Sequence, residues 1–82
     1  MHFVYVLKSG KDGKLYVGRT GNLRERIAQH NSGRVDSTKL RLPLKLIYFE
    51  GSNNIKDADR REKYLKSAWG KRYIKIRIKN DC

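Results

Sequence analysis

Two apolar segments separated by a glycine-rich turn open the chain. Residues 2–7 and 14–18 are rich in β-branched and aromatic side chains, which favours β-strands. Residues 9–13 between them include an Asp-Gly pair and a second glycine, and such residues adopt the backbone angles of tight turns at low cost. The sequence therefore predicts an antiparallel hairpin.

The register of this hairpin decides which side chains share a face. If Ser9 pairs with Lys14, Tyr5 and Tyr16 lie on one face as diagonal neighbours, roughly 7–8 Å apart. The residues of the opposite face would then be Val4, Val6, Leu15 and Val17. A shift of one residue would separate the tyrosines, so any shared role for them depends on the first register.

A helix is predicted directly after the hairpin. It should begin near residues 20–22, because Asn22 and Glu25 have the spacing of a capping box. It should end within 31–33, where a glycine provides the usual helix stop. Residues four apart share a face of this helix: Leu23 with Ile27 on the buried stripe, and Arg26 with His30 on another.

The following residues predict a loop, a strand and a second helix. Residues 34–43 are polar and should form an irregular, mobile surface loop. A third strand is expected over 44–49 and a turn over 51–54. The second helix should cover about 56–67, with core-facing residues Ala58, Leu65 and Tyr64.

Size and charge narrow the class of protein. With 82 residues the chain should form one domain over 1–82 with a thin hydrophobic core. Its 20 Lys and Arg exceed 8 Asp and Glu, which gives a net charge of +12. This excess favours polyanionic partners, and nucleic acid is the commonest inside a cell. Anionic membrane surfaces and acidic proteins stay open as alternatives.

Other classes are disfavoured by the same sequence. No apolar stretch approaches the roughly 20 residues that a membrane span needs, and no leader of charged and then apolar residues is recognisable. We therefore expect a cytoplasmic protein without membrane association, and a monomer by default. A single cysteine, Cys82, can form neither an internal disulfide nor a cysteine-based zinc site.

A spaced set of polar and aromatic residues gives a more specific indication. It consists of Tyr5, the run Tyr16-Val17-Gly18, Arg26, His30 and Glu62. This set resembles the GIY-YIG nuclease domain, and the short stand-alone bacterial members are the most similar. The resemblance implies an α/β (α+β) fold: a small three-stranded antiparallel sheet with helices packed around it and the active site on the exposed sheet face.

The resemblance implies a role for each residue of the set. Tyr5 would act as general base on water, which requires positive neighbours such as Lys14 and Arg26 to lower its pKa. Tyr16 would position water or phosphate, and His30 would orient a tyrosine or the phosphate. Arg26 would also hold a phosphate oxygen as charge develops.

The resemblance also implies a metal ion and a substrate. Glu62 would bind one divalent cation, Mg²⁺ or Mn²⁺. The substrate would be nucleic acid, with DNA preferred, cleaved in one strand. Residues expected to contact it are Lys14, Gly18, Arg19 and Arg24. Gly18 would avoid a side chain that blocks the phosphate or the following helix.

The C-terminal segment allows two interpretations. Strict alternation over residues 73–79 predicts a strand, whereas the resemblance implies a helix with Ile74 and Ile78 on its buried side, which we expect. Ile76 stands where family members usually carry asparagine, and isoleucine cannot hydrogen-bond a tyrosine or a phosphate. Asn80 is a weak candidate to replace that asparagine.

Two other functions compete with a nuclease. The loss of the asparagine favours a nucleic-acid-binding module that keeps the fold but has lost turnover. An interaction domain for acidic proteins or lipids rests only on the charge of +12.

Overall fold

The computed structural model describes residues 1–77, which form three strands and three helices. In chain order these are β1 (His2–Ser9), β2 (Leu15–Thr20), α1 (Leu23–Asn31), β3 (Leu44–Ser52), α2 (Ile55–Lys66) and α3 (Ala68–Arg77). The strands form one antiparallel sheet in the order β2-β1-β3. The predicted three-stranded α+β fold is confirmed.

The hairpin adopts the register that keeps the tyrosines together. The Ser9 N–H donates to the Lys14 carbonyl oxygen at 3.0 Å. Tyr5 lies opposite Gly18 while Tyr16 lies opposite Leu7, so the two tyrosines are diagonal neighbours. Their ring centroids are 6.4 Å apart.

Each face of the sheet is covered by helices or loop. On one face, the residues in contact are Val4, Val6 and Val17 of the sheet with Ala58, Leu65 and Ile74 of α2 and α3. On the other face, Tyr5 packs with Leu23 and Ile27 of α1. The expectation that the tyrosine face is exposed is therefore wrong: Tyr5 is only 1% exposed, because the apolar stripe of α1 needs the same surface.

The segment between α1 and β3 is irregular, as predicted, but it is tied to the sheet. Val35 and Thr38 are buried. The Asn31 side chain donates to the Leu44 carbonyl oxygen at 3.0 Å and accepts from the Leu44 N–H at 2.9 Å. The Ser9 hydroxyl donates to the Arg41 carbonyl oxygen at 2.7 Å. The segment therefore forms part of the cover over the tyrosine face.

The helix caps follow local sequence signals. Asn22 accepts a hydrogen bond from the Glu25 N–H, as the predicted capping box requires. Asn54 caps α2 in the same way, accepting from Lys56 and Asp57. The turn predicted over 51–54 is shorter, because β3 continues through Ser52.

The predictions for the second and third helices are confirmed except at Tyr64. Ala58 and Leu65 are buried as predicted, whereas Tyr64 is 42% exposed and does not face the core. The helical interpretation of the C-terminal segment is confirmed as far as Arg77. Ile74 is buried while Ile76 is exposed. Ile78 and Asn80 lie outside the described residues.

Gly70 allows α3 to cross the end of α2 at close range. A Cβ atom at this position would collide with the Tyr64 carbonyl oxygen and with Cα of Leu65. Both are backbone atoms that cannot move aside without shifting α2. We expect Gly70→Ala to lower the free energy of unfolding by about 1–3 kcal/mol or more, despite the better helix propensity of alanine. Urea unfolding measures this change.

Gly21→Ala is the matched control for that substitution. A Cβ atom on Gly21 would meet no atom within 4 Å, so its free energy of unfolding should change by no more than about 0.5 kcal/mol. Equal unfolding midpoints for both variants would contradict the close crossing.

Candidate active site

Three aromatic rings from different elements meet between α1 and the sheet. Tyr5 comes from β1, Tyr16 from β2 and His30 from the last turn of α1. The His30 ring centroid lies 5.7 Å from that of Tyr5 and 5.1 Å from that of Tyr16, both in edge-on geometry. Three of the residues predicted for the site are thus in direct contact.

A buried chain of hydrogen bonds runs through His30. Tyr5 Oη and His30 Nε2 are 2.8 Å apart, and His30 Nδ1 and Thr38 Oγ1 are 2.7 Å apart. All three residues are buried. We call this arrangement the Tyr5–His30–Thr38 chain. Because one ring nitrogen binds each hydroxyl, the orientation of the imidazole is fixed by its neighbours.

Thr38 is the site residue that the sequence analysis missed. It lies in the irregular segment before β3, among polar residues that predict a surface loop. Its hydroxyl contacts His30 only because the segment folds back beneath α1. No local pattern distinguishes a threonine that will be buried in this way.

Gly18 makes room for the Tyr5 hydroxyl. It lies directly across from Tyr5 in the hairpin, and a Cβ atom there would collide with the phenol oxygen. The expectation that the glycine spares the phosphate or the following helix needs correction, because the nearest obstacle is Tyr5 itself.

Burial controls ionisation at the centre of the site. Burial raises the pKa of Tyr5 above 10.0, and this effect outweighs the opposing effect of the Arg26 guanidinium. The expectation that positive neighbours lower the pKa of Tyr5 is wrong: Arg26 acts in that direction but is outweighed, and Lys14 is not among the groups that act. Burial, and then the charge of Arg26, lower the pKa of His30. At neutral pH the site therefore holds a phenol beside a neutral imidazole.

Arg26 lines an open cavity at the start of α1. Its guanidinium Nη1 donates to Gln29 Oε1 at 2.9 Å. The cavity has a volume of about 330 Å³ and is lined by Arg19, Thr20, Asn22, Glu25, Arg26 and Gln29. Its position between the end of β2 and the start of α1 puts a guanidinium and exposed polar groups around a space that can hold a phosphate.

Glu62 approaches the site from α2. Its carboxylate lies 3.1 Å from Lys66 Nζ and 3.8 Å from Arg19 Nε, and its side chain is 18% exposed. Asp59, one turn earlier, lies 3.5 Å from Arg19 Nη1. Glu62 also contributes to raising the pKa of Tyr5, so the two groups interact electrostatically. Arg19, predicted to contact substrate, lies between these two carboxylates.

Glu62 and, one turn earlier, Asp59 are the carboxylates available on this part of α2. Within residues 1–77 no group of three or more His, Cys, Asp or Glu side chains could hold a metal ion. Mg²⁺ commonly binds through one or two carboxylates while keeping several waters and contacting substrate phosphates. The donor set at Glu62 therefore fits one hydrated ion, provided that the flexible Lys66 side chain moves away.

The remaining predicted residues lie at the periphery. Lys14 and Arg24 are exposed. Ile76 is 63% exposed on α3, a helix that packs on the face of the sheet opposite the tyrosines. The Ile76 side chain therefore lies in solvent and away from the buried Tyr5 hydroxyl.

No helix among the described residues has the length and apolar character needed to cross a membrane.

Comparison with known proteins gives consistent matches. A family model described as the GIY-YIG catalytic domain matches residues 1–75. The chain is 48% identical over 67 residues to a UPF0213 protein of Clostridium perfringens, covering 80% of this chain and 71% of that protein. It is 43% identical over 67 residues to a UPF0213 protein of Staphylococcus haemolyticus, covering 80% of each.

A third relative covers more of the sequence. A UPF0213 protein of Staphylococcus saprophyticus is 34% identical over 76 residues, which is 92% of both chains. No solved structure matches the chain significantly.

Proposed function

This chain belongs to the GIY-YIG family of nuclease domains, and from that membership we propose that it is a divalent-metal-dependent endonuclease that hydrolyses phosphodiester bonds in DNA. The observation that carries the proposal is the Tyr5–His30–Thr38 chain, with Arg26 beside it and Glu62 within electrostatic range. These groups offer a base, a cation for phosphate and a carboxylate for metal. We further propose the cytoplasm as the location, since DNA is found there in bacteria such as those that hold its relatives.

Tyr5 is the proposed general base. Within the described residues, His30 Nδ1 is the only hydrogen-bond partner of the Thr38 hydroxyl. We propose that this hydroxyl donates to Nδ1, because the phenolate form that a Tyr5 base requires can only accept a hydrogen bond; the proton of the neutral ring is then on Nε2. Nε2–H then donates to Tyr5 Oη. This donor, together with Arg26, favours the phenolate that a tyrosine base requires.

The other residues bind and orient the substrate. Arg26 holds a phosphate oxygen as negative charge develops. Tyr16, packed against both other rings, positions the attacking water or the phosphate. The exposed Lys14 and Arg24 contact the DNA backbone. Gly18 leaves space for the phenol, and Arg19 orients the Glu62 carboxylate or binds substrate when released from it.

Glu62 is the proposed ligand of one Mg²⁺ or Mn²⁺ ion. When bound, the ion supplies positive charge for the phosphate and the leaving oxygen. The contribution of the protein is to hold the carboxylate half-buried at the edge of the site, between two side chains that can give way.

Nicking of supercoiled plasmid tests this function. Purified protein should convert supercoiled plasmid to the open circle with Mg²⁺ or Mn²⁺, and should not do so with EDTA. Protein that binds the plasmid but leaves it intact with either ion would instead support the binding module without turnover. If the parent protein does not nick, nicking by the Ile76→Asn variant would show that the missing asparagine is the cause.

A substitution at Thr38 tests the assigned tautomer. Thr38→Val keeps the shape of the side chain but removes the donor to His30 Nδ1. We expect nicking to fall about 10-fold or more and the rise of rate with pH to move to higher pH, because the phenolate loses support.

Thr38→Ser is the matched control, since it keeps the hydroxyl, and it should restore both the rate and the pH profile. Rates are compared well below the melting temperature, because an unpaired buried imidazole nitrogen costs about 1–3 kcal/mol. Valine and serine variants with the same pH profile would contradict the assignment.

A further inference from the structure

The solvent face of α3 combines exposed apolar side chains with positive charge. Trp69 is 69% exposed and Ile76 is 63% exposed. The helix contains no acidic residue, and its four cations, Lys71, Arg72, Lys75 and Arg77, are all exposed. A large ring held in water next to this many cations needs an explanation, because most exposed helix positions are polar.

Packing does not explain the exposed ring. The contacts of α3 with the rest of the domain are made by other residues: Ile74 is buried in the core, Gly70 lies against the backbone of α2, and Tyr73 packs edge-on against Tyr48 at 6.4 Å. These residues hold the helix to the sheet. Trp69 points away from them into solvent.

The cations on this face are arranged around the aromatic rings. The Arg72 guanidinium lies 5.0 Å from the Trp69 ring centroid, and the Arg77 guanidinium lies 5.8 Å from that of Tyr73. Such stacking holds the tryptophan ring in a defined position while leaving part of its surface free. Within residues 1–77, none of the four α3 cations forms an ion pair with a carboxylate, so their charge remains available to a ligand.

We propose that the exposed face of α3 is a binding surface for single-stranded nucleic acid, in which a base stacks on Trp69 and the α3 cations contact the adjacent phosphates. Aromatic rings next to cations bind single strands in this way, because every base has a face for stacking while a duplex hides it. The surface lies on the opposite side of the sheet from Tyr5. This proposal rests on the proposed nuclease function in one respect: the surface would direct the nuclease activity to DNA that contains an unpaired segment.

A membrane surface fits this face less well. Helices that lie in a membrane interface present a continuous apolar side to the lipid. On α3 that side is occupied by the core, and the two exposed apolar residues, Trp69 and Ile76, are two turns apart with Arg72 between them. The charge and the isolated ring suit a nucleic-acid strand better.

The fluorescence of Trp69 gives a direct binding assay, because the chain contains one tryptophan. Full-length protein is titrated in EDTA, so that no cleavage occurs, with oligothymidylate of about 16 nucleotides and with a duplex of equal length. The single strand should quench the emission and bind more tightly than the duplex. Because Trp69→Ala removes the fluorophore, the variants are compared with a labelled oligonucleotide.

We expect Trp69→Ala to weaken single-strand binding roughly 10- to 100-fold, while Trp69→Phe, which keeps a ring, stays closer to the parent. Leu40→Ala, which removes another exposed apolar side chain, should bind like the parent. Arg72→Ala should weaken binding and reduce its dependence on salt.

Two results would overturn the proposal. One is equal single-strand affinity for parent and Trp69→Ala. The other is a shift of Trp69 emission with phosphatidylserine vesicles but none with the oligonucleotide, which would identify a lipid surface. Plasmid nicking by the parent protein with Mg²⁺ or Mn²⁺, assayed in parallel, separates this question from catalysis: quenching by a parent protein that does not nick would contradict the proposed nuclease and leave the binding surface supported.

Discussion

The Tyr5→Phe protein should nick plasmid about 10²- to 10⁴-fold more slowly than the parent, the range that a general base contributes. The substitution removes one oxygen atom, the one that lies 2.8 Å from His30 Nε2, and keeps the buried ring. Plasmid binding in EDTA should stay close to the parent value, because the exposed cations proposed to contact the DNA backbone, Lys14 and Arg24, are unchanged. The rate of nicking under identical metal concentrations measures the effect.

The pH dependence of nicking by the parent protein is an independent test of Tyr5 as the base. Only the deprotonated phenol accepts a proton, and burial raises the pKa of Tyr5 above 10.0. The nicking rate should therefore rise with pH across the whole range below pH 10. The small residual rate of the Tyr5→Phe protein should lack this rise.

Folding must be checked alongside the rate. Removing the phenol oxygen leaves His30 Nε2 without its partner, which costs about 1–3 kcal/mol, so the variant should melt at a lower temperature but fold at the assay temperature. A folded Tyr5→Phe protein that nicks within tenfold of the parent would exclude Tyr5 as the base.

The second large effect is expected at Glu62. Glu62→Gln keeps the size of the side chain but removes the charge that would hold the cation. Since a bound ion supplies several kcal/mol of stabilisation to developing charge, nicking should fall by two orders of magnitude or more. Raising the Mn²⁺ concentration should recover part of the rate if the ion binds more weakly.

Asp59→Asn is the matched control for Glu62. Asp59 lies one turn earlier on α2 and also meets Arg19, at 3.5 Å, but it is more exposed. Its ion pairs contribute little in water, so the variant should nick like the parent. If Asp59→Asn lost activity while Glu62→Gln kept it, the metal assignment would pass to Asp59.

Local signals were enough to predict the elements that carry the site. The hairpin follows from two segments of β-branched and aromatic residues around an Asp-Gly turn, and the start of α1 follows from the pair Asn22 and Glu25, whose hydrogen bond is present. These features depend on neighbours within a few residues. The family resemblance then identified Tyr5, Tyr16 and His30 as a group, and the structure brings their rings together.

Features that depend on tertiary contacts were not predictable in this way. The pKa of Tyr5 was expected to be lowered but is raised, because α1 covers the tyrosine face. Periodicity along the sequence does not reveal this cover. Thr38 became a partner of His30 only through the path of the irregular segment. The alternating isoleucines predict a strand by periodicity alone, whereas Ala68–Arg77 is a helix that places Ile74 in the core.

The position of β1 at the centre of the sheet has a consequence during synthesis. β1 is made before β3, yet the two strands pair, and β3 is completed only at Ser52. A nascent chain therefore cannot close the sheet until Ser52 has left the ribosome, and the long loop that must close slows that step. Because Tyr5 and His30 are ordered by the same closure, an unfinished or unfolded chain has no assembled centre. The proposed cleavage chemistry thus becomes available only after β3 has joined the sheet.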